Sequence, residues 1–115
     1  MEGDLKSMET QALEEFQVID HYLCIRMPKE LDHHMATGIH RRADEIICES
    51  DVKNLIFDFS DTEFMDSSGI GVILGRYKKI SCFGGKVYVV HASMQIRKIL
   101  QMSGVHKIVE ILEDR

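Results

Sequence analysis

The succession of two kinds of hydrophobic pattern restricts this chain more than any other feature. Residues 52–59, VKNLIFDF, carry Leu55, Ile56 and Phe57 in a dense apolar run. A run that short and dense reads as a strand buried on both faces. Beyond a polar interval, apolar residues at 70, 73, 74, 77 and 80 recur at helical spacing. Residues 86–91, KVYVVH, then return to the dense pattern of a buried strand. Strand, helix and strand in succession call for a parallel pair joined by a right-handed crossover, which commits the chain to an α/β layer architecture.

The flanking segments extend the same plan. Residues 16–20 (FQVID) and 21–27 (HYLCIRM) alternate with a period of two, and their junction at Asp20 and His21 predicts a hairpin. Pro28, the sole proline, ends the second strand. Asp32 is placed to cap a helix whose apolar face is Met35, Ile39, Ala43, Ile46 and Ile47, with Arg41, Arg42, Asp44 and Glu45 on the other side. Ser50-Asp51 ends that helix, and Gly84-Gly85 stops the next. Ser93 caps a third, with Ile96, Ile99 and Leu100 inside and Gly104 at its end, and residues 108–112 (IVEIL) form a last short strand. The expected order is β-β-α-β-α-β-α-β. It makes a single α/β domain over residues 13–115, a mixed, mostly parallel sheet of four to five strands with helices packed on it. Residues 1–12 are polar and read as a flexible leader.

A chain of 115 residues fits one domain, and a hydrophobic share of 44 % is ample for a core. The formal net charge of −5 argues against nucleic acid and against an anionic membrane surface. No apolar run is long enough for a membrane-spanning helix, and the acidic start MEGDLKSMETQ has no signal-like apolar core, so a cytoplasmic protein is expected. Cys24, Cys48 and Cys82 include no C-x-x-C pair and lie in apolar-patterned segments, which predicts buried free thiols in a reducing compartment. His33 and His34 are adjacent and His40 lies six residues on, which is not a metal-ligand spacing. No metal and no cofactor are expected.

The chemistry concentrates in residues 64–79, FMDSSGIGVILGRYKK, where strand pattern gives way to helix pattern. Four readings of Ser67 and Ser68 stand side by side. As a helix start, the acid and serines accept bonds from free first-turn amides, and Asp66 suits the positive end of the helix dipole. As a nucleophile elbow, G-x-S-x-G is broken because Met65 stands where the first glycine belongs, and no base is assignable. As a phosphate cradle, Gly69, Gly71 and Gly75 spell G-x-G-x-x-x-G, one residue off the dinucleotide fingerprint, and no lysine follows as in a P-loop. As a switch, a serine at a helix N-terminus would take a phosphate, which the helix amides partly welcome and Asp66 repels. Three glycines in one helix cost about 1 kcal/mol each relative to alanine, offset either by close packing on the sheet or by approach of a partner's backbone.

FMDSSGIGVILGRYKKI closely resembles the signature of the STAS-domain anti-sigma factor antagonists, in particular those of sporulation. CIRMPKELDHH resembles the same family's segment after its second strand, and SGVHKIVEI its last helix end and closing strand, so the likeness runs over roughly 20–110. The resemblance implies a binding protein without enzymatic activity. Its unphosphorylated form would bind an anti-sigma factor that is also an ATP-dependent serine kinase, releasing a sigma factor. That kinase would phosphorylate the serine after the Asp of D-S-S-G, here Ser67, and a phosphatase would reset it. Ser68 would be a cap. Asp32 would lie beside the phosphosite, and Glu30, Asp32, Asp66, Ser67, Ser68, Gly69 and Ile70 would form the partner surface. Related STAS proteins serve other circuits, such as general stress control. The family's usual glycine before Glu-Leu-Asp is absent here, where Pro28-Lys29 stands, which bears on the geometry of that loop.

Overall fold

The computed structural model describes residues 15–113; the expected leader, residues 1–12, lies outside them. The strands are β1 (Phe16–Ile19), β2 (Tyr22–Arg26), β3 (Glu30–Leu31), β4 (Asn54–Asp58), β5 (Phe64–Met65), β6 (Val87–Val90) and β7 (Glu110–Ile111). Three helices interleave with them: α1 (His33–Glu49) after β3, α2 (Ser67–Ser81) after β5 and α3 (Met94–Ser103) after β6. The main sheet has five strands in the order β1-β2-β4-β6-β7, and β3 and β5 pair separately as a two-stranded ribbon. Only β1 runs antiparallel to its neighbour; β2, β4, β6 and β7 are parallel, as the alternation of strand and helix predicts.

The β1–β2 hairpin turns through Asp20 (φ 48°) and His21 (φ 69°), the paired positive φ values that match the twist of two-residue hairpins. No glycine relieves that conformation. His21 is held instead by its surroundings: its carbonyl accepts from Lys53 N at 2.8 Å and Asn54 N at 3.1 Å, and its Nδ1 lies 3.1 Å from an Asp51 carboxylate oxygen.

The parallel strands step across the sheet in one direction, so right-handed crossovers bring all three helices to one face. Leu23, Ile25, Leu55, Phe57, Val87 and Val89 point to that face and are buried. Between them Tyr22, Cys24, Ile56, Tyr88 and Val90 are half-buried on the opposite face, where the Tyr22 and Tyr88 rings lie 6.2 Å apart. The runs 52–59 and 86–91 are therefore not buried on both faces. Half-buried apolar side chains on the face opposite the three helices give them the dense look of a doubly covered strand.

Helix patterning holds with two rotations. The buried face of α1 is Ala36, Ile39, Ala43, Ile46 and Ile47, while Met35 is 41 % exposed. In α2 the buried residues are Gly69, Val72, Ile73, Arg76 and Ile80; Leu74 is exposed, and Ile70 and Tyr77 are half-buried. A stripe drawn through apolar residues alone misses the glycine and the arginine on that face. In α3, capped by Ser93 and ended by Gly104 at φ 83°, Ile96 and Leu100 are buried. The thiols depart from expectation: Cys24 is half-buried on the sheet face opposite the helices, while Cys48, off the apolar stripe of α1, and Cys82, just past the end of α2, are exposed.

Candidate functional site

The β3–β5 ribbon aligns two helix starts. Glu30 pairs with Phe64 and Leu31 with Met65, in parallel register. Leu31 and Met65 are buried and anchor the ribbon, while Glu30 and Phe64 face outward. The Lys29 carbonyl accepts from Glu63 N at 2.8 Å and Phe64 N at 3.2 Å, and the Leu31 carbonyl from Asp66 N at 3.3 Å. Thr62 is buried and donates its hydroxyl to the Pro28 carbonyl at 2.8 Å. The Pro28-Lys29 departure thus joins the two loops through main-chain carbonyls, which either side chain leaves free.

One residue beyond each ribbon strand stands an aspartate. Asp32 (φ −95°, ψ −176°) and Asp66 (φ −102°, ψ −172°) have nearly the same extended geometry, and each caps its helix. Asp32 Oδ1 accepts from Met35 N at 2.9 Å, and Asp66 Oδ1 from Ser68 N at 2.8 Å. Each satisfies an amide that the first turn leaves free, and each places a carboxylate at the positive end of the helix dipole. The parallel register of the ribbon, with a capping aspartate directly after each strand, brings the first turns of α1 and α2 side by side.

The two serines differ. Ser67 is the first residue of α2, exposed, and its hydroxyl has no hydrogen-bond partner among the described residues. Ser68 is half-buried, and its Oγ lies 3.3 Å from Nδ1 of His33, the first residue of α1. Ser68 is therefore not the cap it was expected to be; Asp66 fills that role. Gly69 is buried, and a Cβ there would sit 2.5 Å from Met65 Cγ and 2.9 Å from Leu31 Cδ2. It is the one glycine of α2 that packing explains: Gly71 and Gly75 have nothing within 4 Å of an added Cβ. All three lie inside the helix rather than in a loop, which removes the phosphate-cradle reading.

Of the residues singled out in the sequence, Glu30, Asp32, Asp66, Ser67, Ser68 and Gly69 meet at the ribbon and the two helix starts, and Ile70 lies half-buried just inside α2. Sequence reading missed the ribbon and His33. Two-residue strands carry no period, and an adjacent histidine pair gives no hint of a bond to a residue 35 positions away. Two exposed ion pairs link the same two loops, with Arg26 Nε 3.0 Å from Asp61 and Lys29 Nζ 3.9 Å from Glu63. Among the described residues no cluster could hold a metal ion, and no helix is long and apolar enough to cross a membrane.

A mixed, mostly parallel sheet with α1, α2 and α3 on one face, two capped helix starts at one edge, and on one of them a serine hydroxyl unpartnered among the described residues, defines a small α/β module. The chain belongs to the STAS domain family, whose model matches residues 14–115. An anti-sigma F factor antagonist of Paenibacillus polymyxa is 38 % identical over 92 residues, covering 80 % of this chain and 79 % of that protein. Among solved structures, the anti-sigma factor antagonist SpoIIAA in its unphosphorylated form superposes with a TM-score of 0.70 at 29 % identity, covering 87 % of this chain and 89 % of that one. The phosphorylated form of the Bacillus cell fate determinant SpoIIAA gives 0.68 at 31 % identity, covering 86 % of this chain and 92 % of that one.

Proposed function

We propose that this chain is an anti-sigma factor antagonist of the sporulation type, switched by phosphorylation of Ser67. The unphosphorylated form binds an anti-sigma factor that is also a serine/threonine kinase, and so frees a sigma factor. The kinase phosphorylates Ser67, the phosphoform lets go, and a phosphatase restores it. The protein works in the cytoplasm as a binding module and not as an enzyme, without cofactor, nucleic acid or membrane contact. Relatives named as antagonists and as phosphorylated support this reading. The observation that carries it is the exposed, unpartnered hydroxyl of Ser67 at a helix start.

The physics of the switch follows from that position. A phosphate adds a charge of about −1.5 to −2 at neutral pH. The free amides and dipole of α2 stabilise it there, so the fold tolerates it. Asp66 precedes it directly, and Asp32 and Glu30 share the edge, so the partner surface formed by Glu30, Asp32, Asp66, Ser67, Ser68, Gly69 and Ile70 becomes strongly anionic. A hundredfold loss of affinity corresponds to about 2.7 kcal/mol, within reach of one phosphate forced against a surface that fits a neutral hydroxyl.

The test is incubation with the anti-sigma kinase and ATP, read by intact and tandem mass spectrometry and by a binding assay. One phosphate on Ser67, absent in Ser67→Ala and accompanied by release, is the expected result. Ser67→Glu should weaken binding at least tenfold without unfolding the chain. Absence of phosphate, or phosphate elsewhere with binding unchanged, would reduce the serine pair to part of a helix start. A kinase from a general stress circuit that modifies Ser67 in preference would assign the chain to that circuit instead.

A further inference from the structure

We infer that His33 is a positioning residue that holds the Ser68 hydroxyl out of the phosphoryl-transfer reaction, leaving Ser67 as the single acceptor. This rests on the reading of Ser67 as the modified residue and extends it to a question that reading leaves open: why one serine of an adjacent pair is used.

The ribbon register and the matched caps Asp32 and Asp66 set the first residue of α1 beside the first turn of α2. From there His33 Nδ1 reaches Ser68 Oγ at 3.3 Å, across two elements. In phosphoryl transfer the serine oxygen forms a bond to the γ-phosphorus while the bond to the ADP oxygen breaks, and the hydroxyl proton passes to a base on the kinase. An acceptor hydroxyl therefore needs a free lone pair in line and a proton free to leave. At Ser68 the contact turns the hydroxyl toward His33 in either imidazole tautomer, so aligning its oxygen with a γ-phosphate requires that contact to break. With the proton on Nε2, Ser68 donates its hydroxyl to Nδ1; with the proton on Nδ1, the ring donates to an Oγ lone pair. The backbone amide of Ser68 is also committed, to Asp66 Oδ1 at 2.8 Å. Ser67, one residue earlier, has no such contact to its hydroxyl among the described residues. A 3.3 Å contact is long for a hydrogen bond, so the restraint is modest and the expected effect is a partial change of site.

Three readouts test it. First, after reaction with the anti-sigma kinase and ATP, site-resolved mass spectrometry should find wild-type phosphate on Ser67 alone and at least about a tenth of the His33→Ala product on Ser68. Second, Ser67→Ala should stay unmodified, the double variant with His33→Ala should take phosphate on Ser68, and His33→Asn, whose side-chain amide can stand in for Nδ1, should suppress it again. A residue that merely stabilised the fold would not move the phosphate from one serine to the other. Third, without any kinase, the imidazole ¹⁵N resonances of His33 should shift in Ser68→Ala and stay in place in Ser67→Ala. Phosphate confined to Ser67 in every His33 variant, or an imidazole indifferent to Ser68→Ala, overturns the inference while the Ser67 switch stands. A wild-type chain that takes no phosphate overturns the switch, and the inference falls with it.

Discussion

At the scale of single residues, the glycines of α2 separate two explanations that look alike in the sequence. Gly69 is required by contact: a Cβ would press within 2.6 Å of Met65 Sδ and 2.9 Å of Leu31 Cδ2, both in the buried anchor of the ribbon. Gly69→Ala should destabilise by about 1–3 kcal/mol through overpacking, read as a lower urea midpoint. Gly71→Ala and Gly75→Ala meet open space in a helix interior and should each stabilise by about 0.4–1 kcal/mol. A gain at Gly69, or losses at the other two, would contradict the packing described here. The sequence marked all three as costly without dividing them, because a glycine's reason lies in what surrounds it. Met35 was misplaced similarly: it follows the helical period of α1, yet Ala36 occupies the buried position and Met35 is 41 % exposed.

Between elements, α1 and α2 are joined by a charge pair that residue type alone would have put at the surface. Arg76 is 3 % exposed on the buried stripe of α2, and its Nε lies 3.0 Å from Asp44 Oδ1 on α1, at ion-pair distance without hydrogen-bond alignment. Burial lowers the Arg76 pKa and the adjacent carboxylate opposes that shift. Asp44 also meets Lys79 Nζ at 3.5 Å and His40 Nε2 at 3.1 Å, so one carboxylate faces three cationic or titratable groups. Asp44→Ala leaves the arginine uncompensated and should cost about 3–5 kcal/mol in chemical denaturation, whereas Asp44→Leu with Arg76→Met should recover most of it. If the double variant is no better than the single, the penalty comes from lost packing instead. The long elements were legible because a period of 3.6 or of 2 persists over enough residues to be seen. The two-residue strands β3 and β5 were not, since each contributes one buried residue, Leu31 or Met65, and a single residue has no period. The Asp32 cap was legible, because an aspartate before a helical run has few other uses; at α2 three adjacent candidates stood together, and the role expected of Ser68 falls to Asp66. The bond between His33 and Ser68 was not, because it depends on the ribbon.

For the whole molecule, position relative to the sheet governs which thiol reacts. Cys24 looks toward the face opposite α1, α2 and α3, half-buried between strands, with burial first and Asp58 second raising its pKa. Cys48 stands exposed on α1 and Cys82 exposed just past the end of α2. The thiolate is the reactive species, so a raised pKa and partial cover both slow Cys24. With an aromatic disulfide reagent at pH 8, two thiols should react quickly and the third several-fold more slowly. Raising the pH toward 9.5 should narrow the gap, since Cys24 then gains thiolate. Full denaturation should abolish it, because shift and cover both belong to the fold. A Cys24 that keeps pace with the other two at pH 8 in the native state would mean that the sheet face is freely open. One that stays protected at pH 9.5 as strongly as at pH 8 would mean that cover, rather than charge, controls access. Either result measures how far the sheet face opposite α1, α2 and α3 is left to the solvent.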